Sequence, residues 1–186
     1  DKMVLIDNVF TNLAFGFVHS APVDVAFAQN TLHVRDAAIV IQPAGTMTGT
    51  ESATNNVDAT GGNIINGVDT TTATLDQLFA LEDVINHKVD NPAVGLVRIR
   101  EDNLYVTQSS GSIQRGVDAA TAGDTVSVAA GTYSESVALN KPLTLAGPAA
   151  GEKPLLVGML TGTYAGGLST RIENIDFQVN ATDKNN

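Results

Sequence analysis

The sequence predicts an all-β solenoid with short capping helices, and three observations carry that expectation. Two strand-rich stretches between residues 4 and 42 repeat at a spacing of 22. A short amphipathic segment at 112–122 runs directly into a series of short strands separated by glycines. Charged residues make up only 16% of the chain, below the usual quarter, and small neutral residues (Ser, Thr, Asn, Ala and Gly) fill the gap.

At the offset of 22, Asn8-Val9-Phe10 falls on Asn30-Thr31-Leu32. Leu5 then meets Phe27, Phe17 meets Ile39, Val18 meets Val40, and small Gly16 meets small Ala38. A period in the low twenties is what one turn of a wide β-helix needs for its short strands and corners. The shared Asn has two readings. It is an ordinary turn residue that tolerates left-handed backbone, or one of a stack whose side chains hydrogen-bond between successive turns.

Residues 43–74 read mostly as loops, with a turn at Gly61-Gly62-Asn63 and one short strand at Ile64-Ile65. Residues 75–88 read as a helix, because Leu75, Leu78, Phe79, Leu81, Val84 and Ile85 recur at near-helical spacing. Thr74 is its expected N-cap, with Asp76 in the first turn, His87 and Lys88 in the last, and Asn91-Pro92 beyond it. The segments 96–100 and 104–107 read as a hairpin around Asp102-Asn103. Ser112 caps a second helix, with Ile113, Val117 and Ala120 on one face and Gly123 as its stop. Strands are expected at 125–129, 136–139, 143–145, 155–157 and 172–179, with Gly131, Gly147, Gly158 and Gly166-Gly167 between them.

The order of elements predicts three segments. Residues 1–70 are the terminal turns of one β-helix module, 71–103 a helix and linker, and 104–186 the cap and first turns of a second module. Both ends of the sequence read as interrupted turns, which makes Val4, Leu5 and Ile6 at one end and Ile172, Ile175 and Phe177 at the other candidate self-association strands.

The run Ser112-Ile113-Gln114-Arg115-Gly116-Val117-Asp118-Ala119-Ala120 leads into Gly123-Asp124-Thr125-Val126-Ser127-Val128. Gly131-Thr132-Tyr133, Glu135, Val137, Leu139, Lys141-Pro142-Leu143-Thr144-Leu145 and Gly147 follow. This order resembles the opening segment of pectin-lyase-like parallel β-helix proteins, pectin methylesterases among them, and is similar to repeats of large bacterial surface proteins and adhesins. The resemblance covers about 45 residues. It implies a right-handed parallel β-helix. A β-helix leaves an open apolar end with unpaired strand edges, and a short helix feeding the first strand can cover it. The structural cap and first turn are accordingly assigned to Ser112, Ile113, Val117, Gly123, Asp124, Gly131, Thr132, Tyr133 and Gly147.

That resemblance includes enzymes, yet their chemistry is not visible in these residues. Pectin methylesterases carry a Gln-Asp-Thr-Leu type motif after the opening segment. The nearest echo, Gln29-Asn30-Thr31-Leu32, has Asn at the acid position and precedes the segment. Asn can serve neither as acid nor as nucleophile. Glycosidic chemistry needs two placed carboxyls. The acids after residue 147 are Glu152, Glu173, Asp176 and Asp183, too sparse to name a pair, while Glu82-Asp83 reads as solvated helix surface. His19 and His33 lack metal-ligand spacing. No catalytic residue, cofactor or metal site is assigned, and a non-enzyme is expected.

A net charge of −10 argues against nucleic acid and anionic membrane surfaces as partners. No stretch approaches the roughly 18 apolar residues of a membrane span. The acidity fits solvated surface better than Ca²⁺ binding, which stays open. The chain has no cysteine, so disulfides and thiolate metal sites are excluded. Asn180-Ala181-Thr182 is a formal glycosylation sequon. The expected function is a non-catalytic structural unit of a repetitive extracellular or cell-surface protein of bacterial type. Its partners are further copies or neighbouring repeats, joined end to end by strand addition into fibres. The alternatives are a polysaccharide-binding or polysaccharide-processing module, or an adhesin. With no Trp and 5% aromatics, platforms for glycans are few: Tyr105, Tyr133 and Tyr164 are the only tyrosines.

Overall fold

The computed structural model describes residues 2–21, 23–42, 55–163 and 169–179. Tyr164, Gly166-Gly167, the sequon at Asn180 and positions 43–54 of the expected loop lie outside the described residues. The chain is mostly β with two short helices, and its stacked parallel strands form a β-solenoid. It divides into two compact units, residues 1–101 and 102–186.

The first unit contains β1 (Lys2–Ile6), β2 (Val9–His19), β3 (Asp24–Ala28), β4 (Thr31–Ile41), β5 (Val57–Asp58), β6 (Ile64–Ile65) and β7 (Val68–Asp69). Helix α1 (Leu75–Glu82), β8 (Ile85–Asn86) and β9 (Val97–Arg98) follow. One sheet runs β1-β3-β5-β9, all parallel. The facing sheet runs β2-β4-β6-β7, with β8 also on β4. The repeat of 22 is the register of the first two turns: Leu5 pairs with Phe27, Phe10 with Leu32, Phe17 with Ile39 and Val18 with Val40. The pairs Leu5–Phe27, Phe10–Leu32 and Phe17–Ile39 face inward, with Phe27, Leu32 and Ile39 fully buried, whereas Val18 is 46% exposed. Phe10 and Phe17 lie over Phe27, with ring centroids 6.1 and 5.4 Å away. Gly16 is required by close approach, since a Cβ there would run into the Ala38 carbonyl and the Leu32 side chain.

Three expectations for this unit are corrected. The helix stops at Glu82, with Asp83 as C-cap, rather than at 88. Ile85 and Asn86 pair instead with Ile39 and Val40, because a parallel strand and a buried Ile85 outweigh the helical period. The segments 96–100 and 104–107 do not form a hairpin: Val97-Arg98 pair in parallel with Val57-Asp58. A hairpin not foreseen joins β6 and β7 through Asn66-Gly67, whose φ values of 49° and 83° are those of a type I′ turn.

The second unit contains β10 (Asn103–Val106), α2 (Ile113–Ala119), β11 (Thr125–Val128), β12 (Gly131–Tyr133), β13 (Val137–Leu139) and β14 (Thr144–Ala146). Then come β15 (Pro154–Val157), β16 (Leu160–Gly162), β17 (Arg171–Glu173) and β18 (Asp176–Gln178). They form three parallel sheets, β10-β11-β14-β17, β12-β15-β18 and β13-β16. Val126, Val128, Leu143 and Leu145 point inward and are buried. The expected strand at 172–179 is two strands, broken where Asn174 takes φ 56°. Gly131, expected between strands, instead begins a strand: Gly131-Thr132-Tyr133 is registered on Pro154-Leu155-Leu156.

Candidate functional site: corner ladder, capped end and open edges

The corners leading into β2, β4 and β6 of the first unit have one design: a left-handed residue, then Asn. Asp7 (φ 59°), Gln29 (φ 55°) and Gly62 (φ 77°) precede Asn8, Asn30 and Asn63. The three asparagines form a ladder. Asn8 Nδ2 donates to Asn30 Oδ1 at 2.9 Å, and Asn30 Nδ2 to Asn63 Oδ1 at 3.3 Å. Each lower Oδ1 also accepts the backbone N–H of the Asn above, at 3.0 Å. The remaining amide hydrogens reach main-chain oxygens of Ile6, Leu5, Phe27 and Ala59. Asn30 and Asn63 are buried, so these bonds meet the requirement that buried polar groups be paired. They also explain the Gln29-Asn30-Thr31-Leu32 echo as structure. The sequence pointed to Asn8 and Asn30; Asn63 was missed because the interval to it is 33, not 22.

In the second unit, α2 is held at both ends. Ser112 Oγ accepts the Arg115 N–H at 3.2 Å, the expected N-cap bond. The carboxylate of Glu135 accepts the N–H groups of Ile113 (2.8 Å) and Gln114 (3.0 Å). At the other end Lys141 Nζ donates to the carbonyls of Val117 (2.9 Å), Asp118 (3.1 Å) and Ala120 (2.8 Å). An acid at the N-terminus and a base at the C-terminus both oppose the helix dipole. Gln114 then treats β13 as a strand edge: its Oε1 accepts the Ala138 N–H at 2.7 Å and its Nε2 donates to the Ala138 carbonyl at 3.3 Å. The amide side chain thus stands in for a missing strand. Roles for Gln114, Glu135 and Lys141 were missed, since the sequence showed them only as members of a motif order.

The other expected cap residues fall as follows. Ile113 and Val117 are fully buried. The helix ends at Ala119, before Gly123, which turns the chain into β11 at φ 97°. Asp124 is buried and its carboxylate accepts the Thr121 N–H. Gly131 packs on Gln108, whose Nε2 donates to the carbonyl of exposed Thr132. Tyr133 is buried, its hydroxyl on the Ala129 carbonyl at 3.1 Å. Gly147 leaves room for the Asn174 carbonyl and Pro154.

Among the described residues, β1 is the outer strand of its sheet and pairs only with β3. Val4 (59% exposed) and Ile6 (51%) stand in solvent there, with Leu5 half-buried. At the other candidate edge, Ile172 on β17 and Phe177 on β18 are exposed. Ile175 is not part of that edge: it is buried, in the bend between the two strands. The neighbouring outer strand β2 is irregular, with Asn12 at φ 59° and register shifts beside it. Bulges of this type hinder pairing along an edge, which leaves β1 as the regular edge of that turn.

Glu82 is not solvated surface. It is buried, and its Oε1 lies 2.8 Å from His87 Nε2. His87 Nδ1 accepts the Val97 N–H at 3.0 Å, and Asp90 Oδ2 accepts the His87 N–H at 2.8 Å. Oxygens and nitrogen of Glu82, His87 and Asp90 lie within 4.8 Å of one another. Both ring nitrogens are already committed, however, so a cation on Nε2 would require loss of the Val97 bond or an imidazolate. Burial is the main reason the Asp90 carboxyl is pushed up. Of the other histidines, His19 is buried against the Val23 carbonyl at 2.7 Å, and His33 is exposed. Set beside known proteins, the chain matches no family model, no curated protein and no solved structure.

Proposed function

We propose that the chain is a non-catalytic structural unit of a repetitive extracellular or cell-surface protein. In this reading it is a right-handed β-helix of pectin-lyase-like type, and it joins further copies or neighbouring repeats end to end by strand addition. The observation that carries the proposal is β1, a regular parallel strand that pairs on one side only among the described residues, with Val4 and Ile6 in solvent. An outer strand of this type offers backbone donors and acceptors with apolar side chains beside them, as strand addition requires. A carbohydrate-binding module or an adhesin has less support, because Tyr105 and Tyr133 are buried and offer no stacking face.

The test is sedimentation velocity over a concentration series with the full chain and with Val4→Lys. Val4 is exposed, so the substitution leaves the fold intact. The wild type is expected to gain mass with concentration and V4K to stay monomeric. A wild type that remains a monomer throughout overturns the proposal.

A further inference from the structure

Val97 lies in β9, the outer strand of the β1-β3-β5-β9 sheet. The flanking carbonyls of Leu96 and Arg98 face β5 and accept from Val57 and Ala59, at 2.8 Å each. The Val97 N–H belongs to the same trans peptide as the Leu96 carbonyl, and the two point in opposite directions, so the Val97 amide points away from β5. Its acceptor is a side chain, the Nδ1 of His87 at 3.0 Å. Val97 is 5% exposed, so water is not a ready substitute.

A ring nitrogen that accepts must be bare. The proton of neutral His87 therefore sits on Nε2, directed at Glu82 Oε1. A second proton can go only to Nδ1, and imidazolium is a donor at both nitrogens. A charged His87 and the Val97 bond exclude one another. We propose that His87 is a proton-operated tie on strand β9: neutral, it holds the Val97 amide; charged, it keeps Glu82 and lets Val97 go.

The surroundings favour a working switch. Burial opposes the charge on His87, the Glu82 carboxylate and Asp90 favour it, and the balance holds the imidazole above its ordinary 6.5. The shift places the change of state above the ordinary imidazole value. The charged groups acting on the ring are Glu82 from α1 and Asp90 from the turn after β8. Asp90 also fixes the His87 backbone through its N–H, so the ring can change partner while its main chain stays in place.

Amide hydrogen exchange by NMR on the full chain, corrected for intrinsic exchange between pH 5 and 8.5, tests this. Protection of Val97 is expected to fall at least tenfold as the His87 ring titrates. Val57 and Ala59, which bond to the same strand, should stay protected. Glu82→Gln keeps an acceptor for Nε2–H but removes the charge, so it should move the Val97 transition to lower pH. The proposal is overturned by Val97 protection that is independent of pH. It is equally overturned by loss of protection at all three amides together, or by a transition that E82Q leaves in place.

Discussion

The ammonium of Lys141 lies 2.9 Å from the carbonyl oxygen of Val117, at the end of a helix that precedes it by more than twenty residues. It collects two further carbonyls there and binds the terminal turn of α2 to the next turn of the solenoid. Lys141→Met keeps most of the stem and deletes the three bonds. The loss is expected to be about 1–3 kcal/mol, as for hydrogen bonds to a charged group. Urea unfolding of the second unit measures it, and a change below about 0.5 kcal/mol would show that water replaces the ammonium at no loss.

Asn30 is fully buried and bonds above, below and to the Leu5 carbonyl. Asn30→Ala orphans the Asn8 N–H and opens a void, with an expected cost of about 2–4 kcal/mol. Asn30→Asp keeps the shape but loses the donors and buries a charge, so it should be at least as damaging. If N30D were instead neutral in stability, the ladder would not be the reason for Asn at this corner. Equilibrium denaturation of both variants decides the matter.

Ile113 is fully buried on the core face of α2. Ile113→Ala should cost about 2–5 kcal/mol, and more of that loss should appear in the second unit than in the first. Residue-resolved hydrogen exchange separates the two. Equal loss in both units would mean that the cap is not local in its effect.

Stability should depend on pH in a defined direction. The Glu82 carboxylate, against burial, holds His87 above 6.5, and burial holds Asp90 above 3.8. A raised folded-state pKa means that the folded chain binds the proton more tightly. That contribution is complete below 6.5 for His87 and below 3.8 for Asp90, and is lost as the pH rises through the folded-state values. Asp58 and Asp69 work in the opposite sense. The Thr60 and Thr71 hydroxyls hold them below 3.8, so their contribution is present above that pH and lost beneath it. The urea midpoint should therefore be higher at about pH 5 than at about pH 8, and fall again below about pH 3. A midpoint that is highest at pH 8 contradicts the assignment.

The parts of the fold written in the sequence are those set by local repetition. Leu5 with Phe27 and Phe17 with Ile39 were legible because both turns have one length. Once the interval changed, pattern matching failed, and Asn63 passed for a turn residue. Ile85 continued the apolar period of α1, but its place is decided by strand pairing with Ile39, which no local window contains. Asp102-Asn103 looked like a hairpin turn. Its φ of 54° at Asp102 followed by Asn is the corner already used at Asp7-Asn8, so the identity of the two dipeptides was an available signal. Asn66-Gly67 was likewise an available hairpin signal. The Glu82–His87 pair had no signal of that type, because an acid five residues before a His has no pattern of its own.

The anchors of α2 have a consequence for the order in which the chain can be built. Glu135 and Lys141 lie 21 to 24 residues beyond the backbone groups they hold, so a growing chain delivers the helix before either clamp exists. A helix of seven residues does not persist alone in water. Synthesis therefore reaches the end of β13 with α2 held only at its N-terminal end, and the arrival of Lys141 ties the other. The first strand-rich turns need no such wait, since Asn30 reaches back to Asn8 as soon as it emerges. One chain thus contains two folding regimes: a ladder that locks behind itself, and a cap that is set from ahead.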